Sequence, residues 1–201
     1  SSKRMPSDPV IPAVSATAVH HTICLLRLSA LGDATHVVPL VRTLRRNWPG
    51  AALTWVIGKG EHRLLEGLEG VEFVVYDKKT VLAGMRALLR RFGGRLFDAL
   101  LQMQVAARAN LLSAFVPATR RIGYDRARSK DLHGLFINER IAAHHGQHVL
   151  DALGSFIEPL GLKQTDVRWD IPIPDDARDW AREQIPDATP TLVVSPSSSH
   201  V

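Results

Sequence analysis

The chain has 201 residues, 45% hydrophobic and 6% aromatic, with a formal charge of +5. That mass supports one substantial core and the start of a second, and no stretch approaches the roughly 20 apolar residues that cross a bilayer. A single cysteine, Cys24, rules out an internal disulfide framework and makes a cytoplasmic location the expectation.

Residues 1–21 mix Ser, Pro, Ala and Lys without period and read as a flexible tail. From Ile23 the chain alternates short apolar runs with helical patterns. Ile23–Leu28 is a buried strand; Arg27 interrupts it, so it is not the apolar region of a signal peptide. A helix over Thr35–Trp48 follows, with Val37, Leu40, Val41, Leu44 and Trp48 on one face and Arg42, Arg45 and Arg46 opposite. Then come strand Ala52–Ile57, helix Glu61–Leu68, strand Glu72–Tyr76, helix Thr80–Phe92, strand Ala99–Met103, helix Ala107–Phe115 and strand Arg121–Gly123. Gly or Pro punctuates most joins. Repeated β–α alternation predicts a Rossmann-like parallel sheet with helices on both faces.

After Gly123 a basic, polar stretch leads to a helix over Gln147–Leu160. An extended segment at Trp169–Pro174 is enforced by Pro172 and Pro174. A helix from Asp175 to Gln184 and a final strand from Thr191 run into Pro196-Ser-Ser-Ser-His. The expected division is a tail over 1–21, one Rossmann-like domain over 22–175, and the opening of a second domain over 176–201. The chain reads as the first half of something longer.

The turn after the first strand, Arg27-Leu-Ser-Ala-Leu-Gly-Asp, places Asp33 at the start of the next helix. Ligands of open α/β sheets bind at this carboxyl rim. Asp is also a favoured N-cap, accepting N–H bonds and complementing the positive helix end. Capping and chemistry are compatible, and the residue types leave both open.

Arg27 through Pro49 as a whole strongly resembles the amino-terminal signature of ADP-heptose:lipopolysaccharide heptosyltransferases, glycosyltransferase family 9. The likeness continues through Leu53-Thr-Trp-Val, Arg121-Ile-Gly-Tyr-Asp-Arg-Ala-Arg, Gln147-His-Val-Leu-Asp and Leu192-Val-Val-Ser-Pro-Ser-Ser-Ser-His. It implies the amino-terminal half of a GT-B architecture, two Rossmann-like domains facing a cleft, and an inverting transfer of heptose from ADP-heptose to a Kdo or heptose of the lipopolysaccharide inner core. By this resemblance Asp33 is the catalytic base that takes the acceptor hydroxyl's proton. Ser29 and Gly32 shape the turn, Gly32 through a backbone angle that a Cβ would resist. His36 stands one turn beyond, either touching substrate or exposed in the first turn.

Arg126, Arg128 and Lys130, with Arg120 and Arg121 before them and Arg108 after the fourth strand, are expected to ring the carboxyl end of the sheet and meet the anionic acceptor. Ser197, Ser198 and Ser199 are expected to cradle the donor diphosphate. Arg86, Arg90, Arg91 and Arg95 read as a solvated helix face turned toward anionic lipid. The resemblance thus implies a nucleotide-sugar, an anionic glycolipid acceptor and the inner face of a membrane as partners, and a chain that is inactive without its donor half. No tightly bound cofactor is expected. His144, His145 and His148 lack ligand spacing, so no metal site is expected, and divalent-ion stimulation stays open.

Rival readings are a non-catalytic anion- or nucleic-acid-binding α/β domain and a transferase using another nucleotide-sugar. The low aromatic content argues against single-stranded nucleic acid. The absence of Gly-x-Gly-x-x-Gly after the first strand argues against a hydride-transfer cofactor there.

Overall fold

The computed structural model describes residues 21–77, 81–130, 132–144, 146–185 and 190–194. Six parallel strands form one sheet: β1 (Thr22–Leu26), β2 (Ala52–Gly58), β3 (Val71–Tyr76), β4 (Phe97–Gln102), β5 (Ala118–Gly123) and β6 (Glu139–Arg140), in the order β3-β2-β1-β4-β5-β6. β1 is central; Ile23 lies between Leu53 of β2 and Ala99 of β4, and Leu26 between Val56 and Gln102. The two-residue alternation of a strand sends Ile23 and Leu25 to one face and Cys24 and Leu26 to the other. Both faces are covered, so β1 reads as an unbroken apolar run.

On the first face lie α2 (Val38–Asn47) and α6 (Val149–Gly154), burying Val38, Val41, Leu44 and Leu153 against Trp55 and Leu101. On the second lie α4 (Val81–Phe92) and α5 (Ala107–Ser113), through Leu88, Phe92, Ala109 and Leu112. Fully burying one such Leu or Phe is worth roughly 1.5–3 kcal/mol. Cys24 is buried, as expected, and desolvation pushes its thiol pKa far up.

The predicted elements hold with informative exceptions. The single helix expected over Thr35–Trp48 is two, α1 (Leu31–Thr35) and α2. Pro39 near the start of α2 has no N–H to give to Thr35, and its ring would clash with that carbonyl. The helix expected over Gln147–Leu160 is α6 followed by a 3-10 turn, Ser155–Leu160, which contains Pro159 and ends at Gly161, φ +79°. α3 (Lys59–Leu65) and α7 (Asp175–Gln184) lie close to their expected spans. Residues 191–194 form no strand. Leu192, Val193 and Val194 stand exposed, because no strand among the described residues pairs with them. The tail expectation concerns residues that, apart from His21, lie outside those described; His21 stacks on Trp48 with ring centroids 3.9 Å apart.

Candidate active site

The strand order reverses at β1, which pairs with both β2 and β4. Beyond the carboxyl ends of β1, β4 and β5 opens a cavity of about 610 Å³. The turn after β1 supplies Arg27, Ser29, Ala30 and Asp33, and the segment after β4 supplies Gln104, Val105 and Ala106. Tyr124, directly after β5, and Arg128 form the far wall, closed by Gln147, Val149 and Ala152. This is the crevice in which doubly wound sheets place ligands.

Asp33 is not the N-cap that the sequence suggests. The helix begins two residues earlier, and Asp33 is the third residue of α1, where its Oδ2 accepts the Ala30 N–H at 3.5 Å. The same Oδ2 is paired with the Arg27 guanidinium. Arg27 is itself nearly buried, and its other amino group donates to the Met103 carbonyl at the end of β4. One carboxylate oxygen is thus fixed by two donors, while Oδ1 has no partner among the described residues. Gly32 lies within α1 at an ordinary helical angle, with open space where a Cβ would stand, so its expected special backbone role is absent. Ser29 accepts a hydrogen bond from Gln104 at 3.2 Å, and Gln104 accepts the Leu28 N–H at 2.8 Å, tying the two strand-end turns together.

The far wall is equally constrained. Asp125 is buried and accepts the backbone N–H groups of Ala127 and Arg128 at 2.8 and 3.1 Å, besides the Arg128 side chain. Burial alone would raise its pKa, but the bonds from Arg128 and Ala127 hold it below the ordinary carboxylate value. Arg128 also donates to Gln147 Oε1 and the Ala142 carbonyl, both at 3.1 Å, and lies 5.3 Å from the Tyr124 ring centre. Burial raises the Tyr124 phenol pKa, and the positive charges of Arg27 and Arg128 work against that rise. Behind Tyr124 the Phe156 ring packs edge-on at 4.9 Å.

A buried polar cluster anchors this loop. His133 Nε2 accepts the Tyr124 N–H at 3.1 Å, so its proton sits on Nδ1 and is donated to Asn110 Oδ1 at 2.8 Å. Asn110 Oδ1 also accepts from Gln102 of β4 at 2.6 Å. Desolvation, aided by Arg140, lowers the His133 pKa to about 4, so the ring is neutral at pH 7.

Of the residues expected at the site, Asp33, Ser29 and Arg128 line the cavity together. His36 does not; it is half-buried beside His148 and Trp169, each with ring centres at 6.0 Å. Arg108, Arg126 and Lys130 are exposed and stand outside the lining. Arg120 and Arg121 do not ring the sheet's end. Arg120 pairs with Glu139 and the Pro159 carbonyl, and Arg121 satisfies the carbonyls of Ser113, Val116 and Phe136, because the two leave opposite faces of β5 and each meets acceptors there. Arg91 and Arg95 are not a free basic face either: both bind Glu72 of β3, and Arg95 lies over the Phe92 and Phe97 rings. His148 caps α6, accepting the Leu150 N–H at 3.2 Å. Ser197, Ser198 and Ser199 lie outside the described residues.

Sequence reasoning passed over Arg27, Gln104, Tyr124 and Gln147 as site residues. Arg27 and Tyr124 each follow a strand's last residues, which is the one local signal that marks them. Among the described residues no group of three or more His, Cys, Asp and Glu comes together to hold a metal, and no helix is long and apolar enough to cross a membrane.

A doubly wound sheet with a rigidly held carboxylate at its switch point defines a Rossmann-like ligand-binding half. Residues 85–201 match glycosyltransferase family 9 (heptosyltransferase), and the chain is 36% identical to the lipopolysaccharide core heptosyltransferase OpsX of Haemophilus influenzae over 91% of its own length and 53% of that protein. The chain belongs to glycosyltransferase family 9. It is also 25% identical to lipopolysaccharide heptosyltransferase 1 of Pseudomonas aeruginosa, over 84% of this chain and 49% of that one; it spans about half the length of these relatives. Among solved structures, the family 9 glycosyl transferase of Veillonella parvula superposes with a TM-score of 0.69 at 22% identity, covering 81% of this chain and 48% of that one. The Escherichia coli heptosyltransferase WaaC with ADP-2-deoxy-2-fluoro heptose gives 0.64 at 19% identity, covering 74% and 51%. The described chain therefore shares the fold of about half of these proteins, a Rossmann-like parallel sheet as the resemblance implied.

Proposed function

We propose that this chain supplies the acceptor-binding half of an inverting heptosyltransferase that moves heptose from ADP-heptose to a Kdo or heptose of the lipopolysaccharide inner core. Residues 22–175 form that half, and 176–201 open the donor half, where Ser197, Ser198 and Ser199 meet the diphosphate. The observation that carries the reading is the divided carboxylate of Asp33. Arg27 and the Ala30 N–H occupy Oδ2, which fixes the plane of the group and leaves Oδ1 of this cavity-lining residue to receive a proton.

In the reaction, Asp33 Oδ1 takes the proton of the acceptor hydroxyl as that oxygen forms its bond to the anomeric carbon. The carbon's bond to the diphosphate oxygen breaks on the opposite face, ADP departs with the electron pair, and the configuration inverts. Arg27 holds the base in place through the proton transfer. Arg128, itself held by Asp125, presents its guanidinium edge to the carboxylates or phosphates of the acceptor. Tyr124, Val149 and Ala152 supply apolar surface for a sugar face. Arg126, Arg108 and Lys130 act at longer range from the exposed rim, and the same anionic acceptor would bring the protein to the cytoplasmic membrane surface.

The test is direct. The full-length chain is incubated with ADP-heptose and a defined Kdo-bearing acceptor, and the product's anomeric configuration is read by NMR. Transfer with inversion supports the proposal. Transfer with retention, or transfer only from a different nucleotide-sugar, overturns it.

A further inference from the structure

A second cavity of about 550 Å³ lies at the opposite, amino-terminal edge of the sheet, between the last turns of α2, the turn into β3 and the segment around Arg168. It shares no lining residue with the Asp33 cavity. Its wall carries Arg42, Arg45, Arg46 and Arg168 against the carboxylates of Glu69 and Asp166. Arg168 is spoken for, because its Nε and Nη2 hold the buried Asp166 carboxylate at 2.7 Å each.

The arginines of α2 are not matched in this way. Arg42 uses Nη2 on the carbonyls of Trp169 and Asp170, at 3.4 and 2.8 Å, while its Nε is buried with no partner among the described residues. Arg45 makes a long bond of 3.4 Å to the Ala51 carbonyl, and Arg46 is exposed without a hydrogen bond to any described residue. Gly70, at φ +77°, lets the Arg45 guanidinium lie on the turn; a Cβ there would stand 2.7 Å from Arg45 Nε. Cations in a last helical turn complement the helix dipole, which accounts for Arg45 and Arg46 but not for a buried, unpaired N–H on Arg42. That N–H is shut off from solvent, so the α2 cations that face the cavity are the exposed Arg45 and Arg46.

We propose that this cavity binds a phosphate-bearing dianion. Four guanidinium groups against two carboxylates leave a wall two charges positive, and guanidinium forks match phosphate oxygens bidentately. The shared chemistry is a phosphate ester or diphosphate, carried either by a soluble molecule or by a lipid head group.

The experiment titrates sodium pyrophosphate into the full chain by calorimetry, at low and at high salt. In parallel the chain is sedimented with vesicles of phosphatidate in phosphatidylcholine and with phosphatidylcholine alone. Saturable binding of either probe, weakened tenfold or more by Arg45→Gln with Arg46→Gln, supports the site; the arm that responds identifies the source. Asp166→Asn removes a competing charge and should tighten binding several-fold, and the melting temperature of each variant checks its fold. No binding of either probe, or binding indifferent to the double substitution, overturns the proposal.

Discussion

Arg27 and Asp33, six residues apart in the chain, meet through one carboxylate oxygen at the end of the central strand. The guanidinium reaches on to the Met103 carbonyl, so β1, β4 and the first helix are tied at a single point. This arrangement engages Oδ2 and leaves Oδ1 of a cavity-lining residue without a partner among the described residues.

Asp33→Asn is the sharpest probe of that division. Asn keeps an oxygen for Arg27 and the Ala30 N–H, so the urea stability of the variant should stay within about 1 kcal/mol of wild type. It cannot take a proton as a carboxylate does, so single-turnover transfer by the full-length chain should fall roughly 10²–10⁴-fold. Turnover within a few-fold of wild type would mean that Asp33 only supports the helix.

Arg27→Lys keeps the charge but loses the fork that bridges Asp33 and Met103. A base misplaced by about 1 Å costs up to ~10²-fold. We expect kcat to fall on that order while donor affinity, measured by calorimetry, is unchanged. A variant with normal kcat would show that the pairing is structural alone.

Arg128 and Arg126 should part company. Arg128 lines the cavity and Arg126 does not, so Arg128→Gln should raise the acceptor KM through the loss of about 1.5–3 kcal/mol of charge-assisted binding. It should also lower stability, because the buried Asp125 loses its partner. Arg126→Ala should leave both nearly unchanged. Equal KM effects from the two would place the acceptor on the exposed rim instead.

His133 predicts an acid sensitivity. The ring is neutral and buried in the fold with its pKa lowered to about 4, whereas the unfolded ring titrates near 6.5. A lowered native pKa means that the unfolded state binds the proton first. Stability is therefore fully present above pH 6.5 and is lost as pH falls from there toward 4, by roughly 3 kcal/mol at full extent. Urea denaturation of wild type and His133→Gln at pH 7.5 and 4.5 should show the drop in wild type only, beyond what the carboxylates contribute to both. Equal slopes with pH would remove His133 from the account.

The legibility of the molecule divides along physical lines. Periodicity in the chain was enough for β1 through β4, which are mainly apolar runs between helical stripes, whereas β5 carries Thr119, Arg120 and Arg121 and was legible only over its last three residues, and the two-residue β6 has no pattern to read. Pro39 and Pro159 altered helix type where a stripe of apolar residues still looked continuous, because a stripe records burial and not backbone hydrogen bonds. The motif around Asp33 marked the right turn, yet the partner of that carboxylate was not legible. Residues after β1, β4 and β5 become neighbours only when the strands align, and beyond their place after a strand nothing local in Arg27, Gln104 or Tyr124 says so. The basic stretch shows the same limit most plainly. Arg120, Arg121 and Arg128 carry identical charge within nine positions, and composition treats them alike. The sequence by itself determined an α/β sheet, a carboxylate at its rim and a positive surface around it. Only the tertiary structure decided which arginines are spent on backbone carbonyls and carboxylates and which face a cavity, because a guanidinium pairs with whatever acceptor the fold brings within about 3 Å, and that distance is set by strand order rather than by spacing in the chain.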